Sequence, residues 1–84
     1  MDLFEMAQSV DSREALARFL QEAVSDLSEN ESAWENVTLA DFLEAWGAWL
    51  QDMPGWCANQ GERVPDTPSW NLVAQMVMAG RIYE

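Results

Sequence analysis

The stretch Val37-Thr38-Leu39-Ala40-Asp41-Phe42-Leu43-Glu44-Ala45-Trp46-Gly47-Ala48-Trp49-Leu50 decides the fold class. Thr38 followed three residues later by Asp41 places an N-cap acceptor ahead of an acid, a close variant of the capping box. Val37 and Phe42 hold the staple positions on either side of it. From there Leu39, Phe42, Leu43, Trp46, Trp49 and Leu50 recur at the three-four spacing of one helical face, while Asp41, Glu44, Gln51 and Asp52 fall opposite. The pattern predicts an amphipathic helix over 39–52 whose inner side is an aromatic wall.

The same grammar repeats on both sides. Asp2 before Glu5 and Asp11 before Glu14 announce two earlier helices, a short one over 3–9 that would be marginal alone and a longer one over 12–27. The longer one carries Leu16, Phe19, Leu20, Ala23, Val24 and Leu27 on one face, and Glu14 and Arg18 form an exposed pair four residues apart. Thr67 as cap with Pro68 at the first helical position opens a fourth helix over 68–79, and Gly80 reads as its left-handed C-cap. In that helix Trp70, Val73, Ala74 and Val77 form one apolar stripe and Leu72 and Met76 a second, leaving only Asn71 and Gln75 polar. A helix apolar nearly all round is surrounded by others, which places it centrally with Trp70 and Trp46 buried. The connections 28–37 and 53–66 are long for so small a chain, and Pro54, Gly55, Gly61 and Pro65 punctuate the second. The expectation is one compact all-α domain over 1–84, with about four helices and two long ordered loops, in place of a simple up-and-down bundle.

Composition bounds the chemistry. Fifteen Asp and Glu stand against four Arg, with no Lys and no His, for a net charge of −11 in 84 residues. Apolar residues make up 49% of the chain, enough for a packed core despite that charge, and five Trp supply much of it. The absence of His excludes Ser-His-Asp and Cys-His catalysis and His-containing zinc sites. No Gly-rich phosphate loop occurs. Nucleic acid and anionic membrane surfaces are poor partners, since Arg13, Arg18, Arg63 and Arg81 are scattered and the overall charge has the wrong sign. No apolar run approaches the ~20 residues of a membrane span, and no leader pattern opens the chain. Cys57 has no second cysteine to pair with and no charged neighbour in sequence, so it reads as a small packed hydrophobe. Together these features point to a cytoplasmic protein.

Carboxylates one turn apart, Asp41 with Glu44 and Glu22 with Asp26, could ligate a hard cation, but with fifteen acids in the chain such spacings arise by chance. No catalytic, cofactor-binding or metal-binding residue is assigned. The candidate partner-binding residues are Glu29, Glu31, Trp34, Glu35 and Trp56: three acids around a loop tryptophan, and a second tryptophan in the other long loop. An anionic ring steers a basic partner, and a partly exposed Trp makes an interface anchor; the plainer alternative for each Trp is a loop anchor dropped into the core.

The run Trp34-Glu35-Asn36-Val37-Thr38-Leu39, the segment Phe42-Leu43-Glu44-Ala45 leading to Trp49-Leu50, and the ending Pro68-Ser69-Trp70 to Gly80-Arg81-Ile82-Tyr83-Glu84 resemble a family of short, acidic bacterial proteins of unknown function. The resemblance covers most of the chain in order. It implies a stand-alone bacterial domain and brings no catalytic residue, cofactor or substrate. The expected function is a non-enzymatic protein-protein interaction module docking a basic or amphipathic partner, of the kind an inhibitor or immunity protein represents. The alternative is a small carboxylate-dependent, metal-binding hydrolase or regulatory domain.

Overall fold

The computed structural model describes residues 2–83. Four α-helices run α1 (Leu3–Gln8), α2 (Arg13–Glu29), α3 (Leu39–Asn59) and α4 (Trp70–Ile82), with a 3-10 turn at Glu31–Ala33 and no strand among the described residues. No helix among them is long and apolar enough to cross a membrane.

Each α-helix begins where a side chain accepts one of the first, otherwise unpartnered, backbone N–H groups. Asp2 accepts from Glu5 N, Ser12 from Ala15 N, Thr38 from Asp41 N and Ser69 from Leu72 N. Two caps therefore sit one or two residues beyond the expected Asp11 and Thr67. In the fourth helix Pro68 lies before the cap instead of at the first helical position, and Ser69, with the extended backbone of an N-cap, takes the role.

The third helix is longer than its sequence grammar announces. Pro54 and Gly55 read as loop, yet α3 continues through them to Asn59. Met53 and Cys57 extend the stripe begun by Trp49, and all three bury with Met76 of α4 in one apolar cluster. That burial outweighs the cost of an interior proline. Chain reversal comes instead at Gly61, whose φ of +72° suits a residue without a side chain.

α4 is the central element, touching α1, α2 and α3. Ala74, Val77 and Met78 face a larger cluster with Leu3, Ala7, Leu16, Phe19 and Ala23, while Met76 faces the smaller one. Asn71 turns its amide toward α1 and donates to the carbonyls of Ala7, Gln8 and Val10, closing the end of that short helix. Two expectations, the burial of Trp70 and the capping role of Gly80, are corrected. Trp70 is the first residue of α4 and lies 47% exposed, because the helix has only just entered the core there. Gly80 is an interior residue of α4, whose C-cap is Tyr83; its lack of a side chain admits Phe42, whose Cε1 would lie 3.0 Å from an added Cβ.

Candidate functional site

Two features could carry function: a polar clasp around Trp34 and an apolar groove beside it. The 3-10 turn after α2 aims the Trp34 indole inward, where it is buried in the larger cluster. Its Nε1 donates to Asp26 Oδ2 at 2.8 Å, and the guanidinium carbon of Arg81 lies 5.8 Å from its ring centroid. Arg81 Nη1 also stands 3.6 Å from Asp26 Oδ2, so one carboxylate serves both. The indole N–H, then the Asn30 amide and the Arg81 charge, hold the Asp26 carboxyl below its ordinary range against the opposing effect of burial.

The next two residues finish the clasp. Glu35 N and Asn36 N both donate to the Arg81 carbonyl, at 3.0 and 3.1 Å, and Asn36 Nδ2 donates to the carbonyls of Gly80 and Tyr83, at 2.9 and 2.8 Å. Carbonyls at the end of α4 that no helical N–H can reach thus find their donors in the loop before α3. The motif Trp34-Glu35-Asn36 and the ending Gly80-Arg81-Ile82-Tyr83 are two halves of one structural lock, while Glu84 lies outside the described residues. On the far side of α3 the Tyr83 hydroxyl donates to Asp52, whose carboxylate raises the phenol's pKa.

The depressed Asp26 pKa makes the clasp sensitive to acid. A carboxyl whose folded-state value lies below its unfolded one stabilises fully above about pH 4 and loses that contribution as pH falls through the folded value. Asp26→Asn is therefore expected to lower stability at pH 7 by about 1.5 to 3 kcal/mol, the range of a hydrogen bond to a charged group. The difference from the wild type should shrink toward zero in melts taken progressively further below pH 4. A constant difference across the series would remove Asp26 as the titrating partner.

Trp34 was expected to be either an exposed anchor or a core anchor, and it is buried. The three glutamates of the expected ring are exposed, whereas the tryptophan between them is not. Glu29 ends α2, Glu31 lies in the 3-10 turn and Glu35 follows Trp34, and all three are exposed. Trp56 is not in a loop; it sits on α3, 37% exposed, with its ring 5.4 Å from Trp49. Cys57 is buried in the same cluster as Trp49. A concavity of about 260 Å³ gathers Asp2, Glu22, Asp26 and Glu29. No group of three or more His, Cys, Asp or Glu among the described residues could hold a metal ion.

Sequence reasoning missed the groove. Leu20, Val24 and Leu39 were expected to pack on the core faces of their helices, yet Val24 is 68% and Leu39 73% exposed. The cause is that the backbones of α2 and α3 do not approach each other closely; each packs on α4 instead. Between them runs an apolar groove of about 460 Å³, walled by Leu20, Val24, Val37 and Leu39 and floored by Phe42 and Val77. No charged side chain lines it.

Neither a curated protein nor a solved structure significantly matches the chain. A family model does match, over residues 12–84, a span that opens at the N-cap of α2 and holds the groove, Trp34, Asn36 and Arg81. The chain belongs to this family, a family of unknown function designated DUF7660.

Proposed function

We propose that this protein is a non-enzymatic, cytoplasmic protein-protein interaction module that docks a basic or amphipathic partner. The observation that carries the reading is the open apolar groove on an otherwise anionic surface. Isolated exposed leucines are ordinary, but a continuous apolar concavity on a small domain marks an interaction site. The electrostatics set the sign of the partner. All acids of the described chain except Asp26 are exposed, no charged residue is buried, and the net charge is −11. Of the four arginines, Arg81 is committed to Asp26 and Trp34, and Arg13 to Glu14. A cationic protein is steered toward such a surface, and anionic nucleic acid is repelled. The buried free thiol of Cys57 agrees with a reducing compartment.

The test is affinity capture from the native cell extract at low and high salt, followed by kinetics with the purified partner. A stoichiometric, Lys- or Arg-rich or amphipathic partner is expected. Exchanging Glu29, Glu31 and Glu35 together for Gln should slow its association and flatten the salt dependence without lowering the melting temperature, because steering acts through long-range charge at exposed positions. Capture of only acidic or nucleic-acid partners, or association indifferent to salt, would overturn the reading.

A further inference from the structure

We infer that the groove between α2 and α3 receives a short amphipathic helix of another protein, apolar on one face and carrying Lys or Arg at the end that meets the loop 30–38. This rests on the binding-module reading and specifies its site and ligand.

Three observations converge on a helix. The apolar surface is arranged lengthwise: exposed Leu39 walls the groove, and exposed Leu43 and Leu50 continue the same flank of α3 beyond it, eleven residues of helix spanning about 16 Å. Across the groove, Leu20 and Val24 of α2 stand one turn apart. Such a seat matches a ligand of about three turns presenting side chains at i, i+3 or i+4, and i+7. The groove also offers almost no free hydrogen-bonding group. Its polar lining side chains are Asn36, whose amide is donated to Gly80 and Tyr83, and Thr38, whose hydroxyl oxygen caps α3 by accepting from Asp41 N. An extended peptide laid there would bury backbone N–H and C=O groups without partners, whereas a helix arrives with its own already paired.

Charge then selects the owner of that helix. A second copy of this chain would bring another net charge of −11 to the same place. The groove-facing ends of α2 and α3 meet at the loop 30–38, whose borders carry the exposed Glu29, Glu31 and Glu35. Basic residues on the incoming helix find their complement at that end.

The experiment titrates the full isotope-labelled chain with a synthetic peptide of about 18 residues, long enough to be helical, with Leu on one face and Lys on the other. A second peptide has the same composition in scrambled order. Saturable binding of the first peptide is expected, with amide shifts concentrated in residues 20–27 and 37–43. The scrambled peptide should bind about tenfold or more weakly, and so should the amphipathic one to the Val24→Asp/Leu39→Asp variant. Both substituted positions are exposed, so the variant should keep the helical spectrum and melting temperature of the wild type. The added acids would strengthen any purely electrostatic association, so a loss of affinity can come only from the groove. Shifts confined to the concavity of Asp2, Glu22, Asp26 and Glu29, or equal binding of the scrambled peptide, would overturn the groove while leaving a cation-binding module standing. Failure of every cationic peptide to bind would overturn both. A wild-type dimer in sedimentation that the double variant dissolves would assign the groove to a second copy and overturn the inference.

Discussion

Trp34→Ala is expected to remove about 3 to 5 kcal/mol of stability, the range for deleting a buried aromatic side chain. At about 0.05 to 0.15 kcal/mol per residue the whole domain holds only about 4 to 13 kcal/mol, so the variant loses a large share of its stability. Several losses add at this one position. The ring leaves a void beside Phe42, whose centroid lies 6.4 Å from that of Trp34. Asp26 loses the donor that does most to lower its pKa, and Arg81 loses the ring face beneath its guanidinium. Trp34→Phe separates the terms: it keeps most of the packing and removes the N–H, and should cost about 1 to 3 kcal/mol. Urea denaturation of the three proteins measures both steps. A Trp34→Ala midpoint close to wild type would refute the inward placement of the indole and restore it as a candidate surface anchor.

Phe19→Ala should be as damaging, for a reason of shape alone. Phe19 is 0% exposed, the largest side chain so fully enclosed among the described residues. It shares its cluster with Ala7 of α1 and Ala74 of α4, each also 0% exposed. Small residues on two helices make room for one ring on a third. Neighbours that small cannot swing in to fill the gap, so the variant keeps most of the cavity and loses about 3 to 5 kcal/mol. Phe19→Leu, nearer in volume, should cost less than about 1.5 kcal/mol if the site repacks. Equal destabilisation by the two substitutions would argue against the cavity account.

The helices were legible because their starts are local chemistry. Thr38 and Asp2 reach an N–H three residues ahead whatever the remainder of the chain does. Their ends were less legible. Pro54 and Gly55 punctuate the sequence, but whether a helix stops there depends on what its next turn can bury, and Met76 supplies that from a residue 22 positions beyond Pro54. Gly80 carries the signal of a cap and plays the part of a gap for Phe42, a role visible only once α3 and α4 are side by side. The clasp had its components in view, Asp26, Trp34, Asn36 and Arg81, without any spacing rule to join them. The groove left the weakest trace of all. Leu20, Val24 and Leu39 fit their core stripes, and periodicity records which way a side chain points without recording whether a neighbour stands there.

Pro54 gives α3 a second property. A proline has no N–H, so the carbonyl of Leu50 receives no helical bond from it, and the ladder is thinned within the smaller cluster, between Met53 and Cys57. Residues before the break pack on the larger cluster through Phe42 and Trp46 and on the smaller one through Trp49 and Met53; beyond it Cys57 is the buried residue of α3. The last turn of α3, with the exposed connection 60–69 behind it, is therefore expected to open as a unit of its own, its amide protons exchanging faster than those of α1, α2 and the Trp34 lock in a hydrogen-exchange measurement.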